Sequence, residues 1–474
     1  MLLLVAGAAL IGRLLFPAKA QAVHSLAVLP FAGSNGSPDA EFLQDGISIG
    51  VTDALSQLPG LRVMSSSAVM RYSGKTPDPE KVGSDLKVDA VLTGRIERSG
   101  DMISVDAELV NAADDSQIWG EQISETTANV SMVQQDIVRD ISDKLRMKLT
   151  PAEKQQVSQA ATDNAAAYRS YVLGLKEWGK LTPQSTQKAI DYFQQAIASD
   201  PRYAAAYAGL AEGYVEARVT GIGGTETELS GKARAAAKQA LALDGHSADG
   251  YLALAQNDMD DWRFSEAASE YRHAVELNPN LVNARSGYAV LLTYIGSFSE
   301  ASEQNRRALE LDPTALFANA WQGLIFYFQR DYNESIAQNQ QTLGIDPNYA
   351  VAYLTLISCY LARGNNDEAA SAIEKYVSLV GGPDVPARLK GIYATQGLKA
   401  MVRSFLAGPE YSDNAIVAGF YGAIGDKEHA FSILKKAYEA HSALLLNLKY
   451  SPLYDSLRSD PRYADLVRRI GFPE

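Results

Sequence analysis

A proline preceded by Asn or Asp recurs every 34 residues, at Asn278-Pro279, Asp312-Pro313 and Asp346-Pro347, and Asp244-Gly245 holds the same place one period earlier. Asp200-Pro201 lies 44 residues before Gly245, so that period carries a ten-residue insertion, supplied by VTGIGGTETE. Such a repeat permits few architectures. Each unit is long enough for two antiparallel helices but too short to bury a core alone, so neighbouring units must stack. The proline ends the second helix, and the Asp or Asn before it favours the turn.

Small residues mark where the helices approach one another. The eighth position of the unit holds Ala211, Ala255, Ala289, Gly323 and Ala418. The twentieth holds Ala233, Ala267, Ala301, Ser335, Ala369 and Ala430, and the twenty-seventh holds Ala240, Ala274, Ala308 and Ala437. Ile357, Thr342 and Tyr376 depart from the rule, which predicts less regular packing there. Period and small-residue pattern together resemble the tetratricopeptide repeat over most of residues 165–442. Units are expected near 165–203, 204–247, 248–281, 282–315, 316–349 and 350–383, then a degenerate pair at 384–410 and a unit at 411–442. Residues 443–474 read as a carboxy-terminal cap with Arg462, Asp465, Arg468 and Arg469 toward solvent.

Residues 24–150 have a different texture. SLAVLPF and LRVMSS read as strands, with helical spacing through Phe42, Ile47, Val51, Leu55 and Leu58 between them. A helix-like DPEKVGSDLK, three alternating strands and an amphipathic helix near Val130–Leu149 follow, giving the order β-α-β-α-β-β-β-α. SLAVLPF, FLQDGISIGVTDALSQLPGLRVMS, YSGK, VDAVLTGRI and VDAELVNAADDSQIWGE resemble, in this order, the TolB-like amino-terminal domain. That resemblance implies a place outside the inner membrane, commonly after a membrane helix and before tetratricopeptide repeats. An upstream kinase, cyclase or winged helix is common in such proteins. The expected fold class is therefore a small α/β domain followed by an all-α superhelix, joined through the polar stretch SQAATDNAAA at 158–167.

The amino-terminal stretch 1–23 is apolar from Met1 to Phe16 except for Arg13. Sixteen helical residues fall short of the roughly 30 Å hydrocarbon core, so the stretch reads as a signal peptide or part of a membrane anchor. The expected location is the cell envelope, periplasmic or anchored in the inner membrane with the body outside the cytoplasm.

Gly46-Ile47-Ser48-Ile49-Gly50 spells the G-x-S-x-G of a hydrolase nucleophile elbow. The elbow requires a strand leading directly into the serine, yet the preceding strand ends near Phe31 and Ser48 lies in a helical pattern. No histidine follows it within this domain, so Ser48 reads as a helix residue. Ser84-Asp85-Leu86-Lys87 and Ser412-Asp413-Asn414 match two β-lactamase motifs, but the third, K-T-G, does not occur. GIGG at 221–224 reads as a flexible loop, and Asp258-Met259-Asp260-Asp261 as a solvated helix end. The one cysteine, Cys359, excludes an internal disulfide, and the five scattered histidines offer no metal motif. A net charge of −13 with no long basic segment argues against nucleic acid. No catalytic residue, cofactor or metal is expected.

The expected activity is protein binding. Positions 2, 5, 9, 12 and 13 of each first helix face the concave side of such an array. In units four to six they read Asn283, Ser286, Val290, Thr293 and Tyr294, then Phe317, Ala320, Leu324, Tyr327 and Phe328, then Val351, Leu354, Ser358, Leu361 and Ala362. None is basic, which argues against a carboxylate clamp. Tyr294, Phe317, Leu324, Tyr327 and Phe328 form an aromatic strip, the expected site for a protein or peptide partner. The strip could instead be covered by the amino-terminal domain or by tight curvature. Two functions fit: an envelope scaffold, or the sensory part of a receptor-like protein whose effector domain lies outside this chain.

Overall fold

A computed structural model describes residues 23–33, 38–58, 60–75, 77–145, 147, 162–178, 180, 182–407 and 415–473. The apolar stretch 1–16, residues 158–161 of the linker and Ser412-Asp413-Asn414 lie outside them. The chain divides into two compact units, 1–158 and 159–474.

The first unit is a sheet flanked by helices. Its elements are β1 (Ser25–Val28), β2 (Ala32–Gly33), α1 (Pro38–Ser56), β3 (Arg62–Val63), α2 (Ser66–Val69), α3 (Pro79–Leu86), β4 (Ala90–Ser99), β5 (Met102–Asn111), β6 (Gln117–Thr126) and α4 (Val130–Lys144). The strand order is β3-β1-β4-β5-β6. β1 runs parallel to both β3 and β4, while β4, β5 and β6 form an antiparallel meander. Buried Leu26, Ala27 and Val28 explain the unbroken apolar run of β1, a central strand covered on both faces.

Three details depart from the sequence expectation. Ala32–Gly33, expected in a loop, pairs with Arg95 and Ile96 of β4 as a short parallel strand. Its two residues are too few to carry a pattern. Ser65 caps the short helix α2 by accepting from the Ala68 amide, where a plain strand end was expected. The last helix stops at Lys144 rather than near Leu149.

The second unit is a succession of helix pairs: α5 (Ala165–Glu177) with α6 (Pro183–Ser199), α7 (Ala204–Thr220) with α8 (Glu226–Leu243), α9 (Ala248–Asp260) with α10 (Phe264–Leu277), and α11 (Val282–Tyr294) with α12 (Phe298–Leu311). Then come α13 (Leu316–Phe328) with α14 (Tyr332–Ile345), α15 (Ala350–Arg363) with α16 (Asn366–Val380), α17 (Val385–Gln396) with α18 (Leu398–Leu406), and α19 (Ala415–Ala423) with α20 (Lys427–Glu439). Short 3-10 turns at Ala443–Asn447 and Pro452–Leu457 lead to α21 (Pro461–Ile470). Ala255, Ala267, Ala274, Ala289, Ala301 and Ala308 are all fully buried, as helices in close contact require. The irregular Thr342, Ile357 and Tyr376 are buried as well. Within 384–410 a single residue, Gly397 at φ +78°, separates α17 from α18; only glycine turns the chain so sharply without strain.

The ten-residue insertion is ordered by caps. Gly221 takes the left-handed conformation that closes α7, and Thr225 and Glu228 form a reciprocal capping box at the start of α8.

Candidate functional site

Ser48 can be placed first. It lies within α1, where its hydroxyl donates to the Gln44 carbonyl at 2.7 Å and accepts from the Phe31 amide at 2.9 Å. Both functions of the hydroxyl are thus engaged, one within the helix and one holding the segment after β1 to it. Gly50 lies against Gln134 of α4, whose amide donates to the Gly46 carbonyl at 3.0 Å. The glycines of the motif therefore serve helix–helix approach.

The acidic run 258–261 is not the solvated helix end that its charge suggests. Asp258 keeps only 1% exposure and forms an ion pair with Arg234; Asp261 accepts from Ser230 at 2.6 Å, Arg234 at 2.8 Å and Arg218 at 3.2 Å. Arg218 also reaches Glu226 at 2.8 Å, so the network ties α7, α8 and α9 together. The arginines sit a helix or more away in sequence, which hides the compensation from a local reading. Cys359 is fully buried, and burial pushes its thiol up to about 11, an inert state. Among the described residues no group of side chains is arranged to hold a metal ion.

The five aromatic-strip residues divide sharply. Phe317 remains 49% exposed and stacks on Trp321, with ring centroids 5.6 Å apart. Leu324 is half-buried. Tyr294, Tyr327 and Phe328 are buried, at 9%, 2% and 4% exposure. They are not open to a partner in this conformation. Within the second unit, the carboxy-terminal segment covers them.

That segment is more than an end cap. The Asn447 side chain lies beside the Tyr294 hydroxyl, and the Ser451 side chain beside that of Tyr327. The Tyr450 ring meets Phe298 edge-on at 5.9 Å, and Asp455 pairs with Arg330. His441 stacks on Trp262 at 3.8 Å, and Phe472 on Phe264 at 5.2 Å. Leu445, Leu448, Tyr454 and Leu457 are fully buried in the same apolar cluster as Tyr294 and Tyr327. Arg462 and Arg469 stay partly exposed as expected, but each lies over a ring of α20, Arg462 on Phe431 at 4.1 Å and Arg469 on Tyr438 at 4.0 Å.

The inner-wall positions of the second and third units carry acids. The ninth and thirteenth positions of the second unit are Glu212 and Glu216, and the second and thirteenth of the third are Asp249 and Asp260. Burial raises the Glu212 carboxyl well above the usual range, with Asp249 and Glu216 adding repulsion. Glu216 accepts a hydrogen bond from Thr186 at 2.8 Å. The signal was available: the same five positions that gave the aromatic strip give acids in the units before it.

Comparisons with known proteins bear on both units. A family model described as the HilA/YgeH-like transcriptional regulator, second domain, matches residues 21–141. Its description differs from the TolB-like domain suggested by the motifs. A tetratricopeptide repeat model matches residues 322–386. The chain carries a tetratricopeptide repeat array. It is also 28% identical over 239 residues to "Putative adenylate cyclase 3" of Rhizobium meliloti (strain 1021), covering 50% of this chain and 41% of that protein. The chain thus spans about two fifths of that relative's length.

Among solved structures, Pseudomonas aeruginosa PilF is 19% identical with a TM-score of 0.36, covering 48% of this chain and 97% of its own. TTC0263, a tetratricopeptide protein of Thermus thermophilus, is 17% identical with a TM-score of 0.33, covering 38% and 92%. YrrB, described as a tetratricopeptide protein with an unusual peptide-binding site, is 20% identical with a TM-score of 0.28, covering 40% and 88%.

Proposed function

We propose that this chain is a non-enzymatic scaffold of the bacterial cell envelope that binds a protein or peptide partner along the inner wall of its repeats. The observation that carries the reading is the array itself: paired helices present a continuous wall, and the one hydrolase-like serine is engaged in holding α1 to the segment after β1. Phe317 and Leu324 form the accessible part of the aromatic strip. Tyr294, Tyr327 and Phe328 join the contact only when residues 443–474 move off them. The envelope location rests on the apolar stretch 1–16 and on the resemblance of the first unit to TolB-like domains.

The test is site-specific photo-crosslinking in cells. A photoreactive phenylalanine at Phe317 should capture a discrete partner, and the same residue at Glu303, on the second helix of its pair, should not. Equal capture at both positions, or capture of nothing, would remove the inner wall as the binding surface. Fractionation of the same cells tests the location: recovery in the cytoplasm would overturn the envelope reading.

A second reading is favoured by the relative named as an adenylate cyclase and by the regulator-type description of the match at 21–141. In it, this chain is the extracytoplasmic sensory portion of a receptor-like protein, and the repeats recruit a partner that alters an effector domain. An in-frame cyclase, kinase or winged helix encoded upstream would favour that reading over a free-standing scaffold.

A further inference from the structure

Glu212 is anomalous. It keeps 8% of its surface, so its side chain is more than nine-tenths removed from water. Among the described residues it has neither a hydrogen bond nor an ion pair, and its nearest charges are the like-signed Asp249 and Glu216. Arg218, six residues on, is engaged with Glu226, Asn257 and Asp261. A largely buried acid with no protein partner and two acidic neighbours is destabilising, and such a group is more common at a binding site than in a structural core. Its helix position places it on the inner wall, one unit before Asp249, which is exposed to solvent. Asp249 is thus the exposed acid of the group and Glu212 the buried one.

We propose that Glu212, Asp249 and Glu216 form a receptor for an alkylammonium or guanidinium group, supplied by a lysine or arginine side chain of an extended peptide lying along units two and three. The inference rests on the scaffold reading and gives its partner a chemistry. An organic cation fits better than a metal ion, because the described acids are not arranged as metal ligands. A peptide source fits better than a free polyamine, because the acids are spread over the first helices of two adjacent units, α7 and α9, which a chain crossing the wall meets in succession. The cation would supply the missing partner of Glu212, and the interaction made there is charge-assisted and shielded from water.

The test is titration calorimetry on the full chain with three probes: an octapeptide alternating lysine and alanine, the same peptide with every lysine acetylated, and spermidine. The expected result is binding of the lysine peptide, at least roughly tenfold weaker binding by Glu212→Gln and by Asp249→Asn, and no binding of the acetylated peptide. Glu303→Gln, which changes net charge equally on an exposed helix, should leave the affinity unchanged. Glu212→Gln should at the same time melt higher than the parent, because an unpaired acid has been removed. Asp249→Asn, at an exposed position, keeps the test valid if the Glu212 variant folds poorly. Equal loss with Glu303→Gln shows attraction to surface charge only and overturns the proposal. So does no binding of the lysine peptide, or unaltered binding by both acid variants. Binding of spermidine as tight as that of the peptide overturns the peptide source. None of these outcomes removes the scaffold reading, which stands or falls on the crosslink at Phe317.

Discussion

Arg330 and Asp455 stand 125 residues apart in sequence and close on each other through a two-armed ion pair, with Nη2 of the arginine 2.9 Å from Oδ1 of the aspartate. The pair joins the end of α13 to the turn Pro452–Leu457 and lies at the edge of the segment covering Tyr327. Its side chains are 51% and 39% exposed, so solvent screens it. Asp455→Ala should cost no more than about 1 kcal/mol. Leu457 is fully buried in the same turn, and Leu457→Ala should cost about 2–5 kcal/mol. Urea unfolding of the two variants checks the ranking; a larger loss from Asp455→Ala would mean that the ion pair, not apolar burial, holds the segment.

The glycines of the array predict effects of opposite sign. A methyl group added at Gly287 would stand 2.6 Å from the Tyr271 ring, closer than any real contact. Gly287→Ala should destabilise by about 1–3 kcal/mol. Gly231 lies exposed within α8 with open space around its missing side chain. Gly231→Ala should stabilise by about 0.5–1 kcal/mol through helix propensity. Thermal midpoints of the two variants should move in opposite directions from the parent.

Glu270 gives a pH dependence. Burial pushes its carboxyl up to about 7, with Asp258 adding to the rise, Arg234 and Arg263 opposing it, and Glu266 adding slightly. One of its oxygens is buried without a hydrogen-bond partner. A folded pKa above the unfolded value means that the folded state holds a proton the unfolded state has released. Stability from this group is therefore present at low pH and lost as pH rises through about 7. Glu270→Gln should raise the stability at pH 8 by about 1 kcal/mol, less than the full shift because the side chain is only half enclosed, and change little at pH 5. A variant equally stabilised at both values would show that titration of Glu270 is not the cause.

The repeats were legible because every unit faces the same local constraint. Ala267 and Ala301 occupy equivalent contacts between paired helices, and the prolines at 279, 313 and 347 that end three successive pairs stand 34 residues apart. The covering of Tyr294, Tyr327 and Phe328 was not legible, because it depends on pairs such as Tyr327 with Ser451 whose members share no local pattern. A strip of aromatics on one helix face is chemically the same whether a partner or the chain's own end covers it. Asp258 shows the same limit in electrostatics: its compensating Arg234 lies on another helix, so the run looked like surface. The short β2 and α2 escaped for a simpler reason, since two to four residues are too few to establish a period.

Ser48 distinguishes a structural hydroxyl from a nucleophile. Its oxygen accepts from the Phe31 amide at 2.9 Å and donates to the Gln44 carbonyl at 2.7 Å, and the side chain keeps 8% exposure. In Ser48→Ala the Phe31 amide, which is buried just beyond β1, loses its acceptor, and a buried donor left unpaired costs about 1–3 kcal/mol. The Gln44 carbonyl loses less, because a helical carbonyl keeps its backbone bond. The variant should therefore fold with a lowered unfolding midpoint rather than unchanged stability. The parent chain should resist a fluorophosphonate probe, because the oxygen already engages two backbone groups inside α1 and is not lifted above a sheet as a nucleophile must be. Mass spectrometry of the probe-treated chain decides between the roles: a phosphonate adduct on the peptide containing Ser48 would restore the hydrolase reading, whatever the stability of the alanine variant.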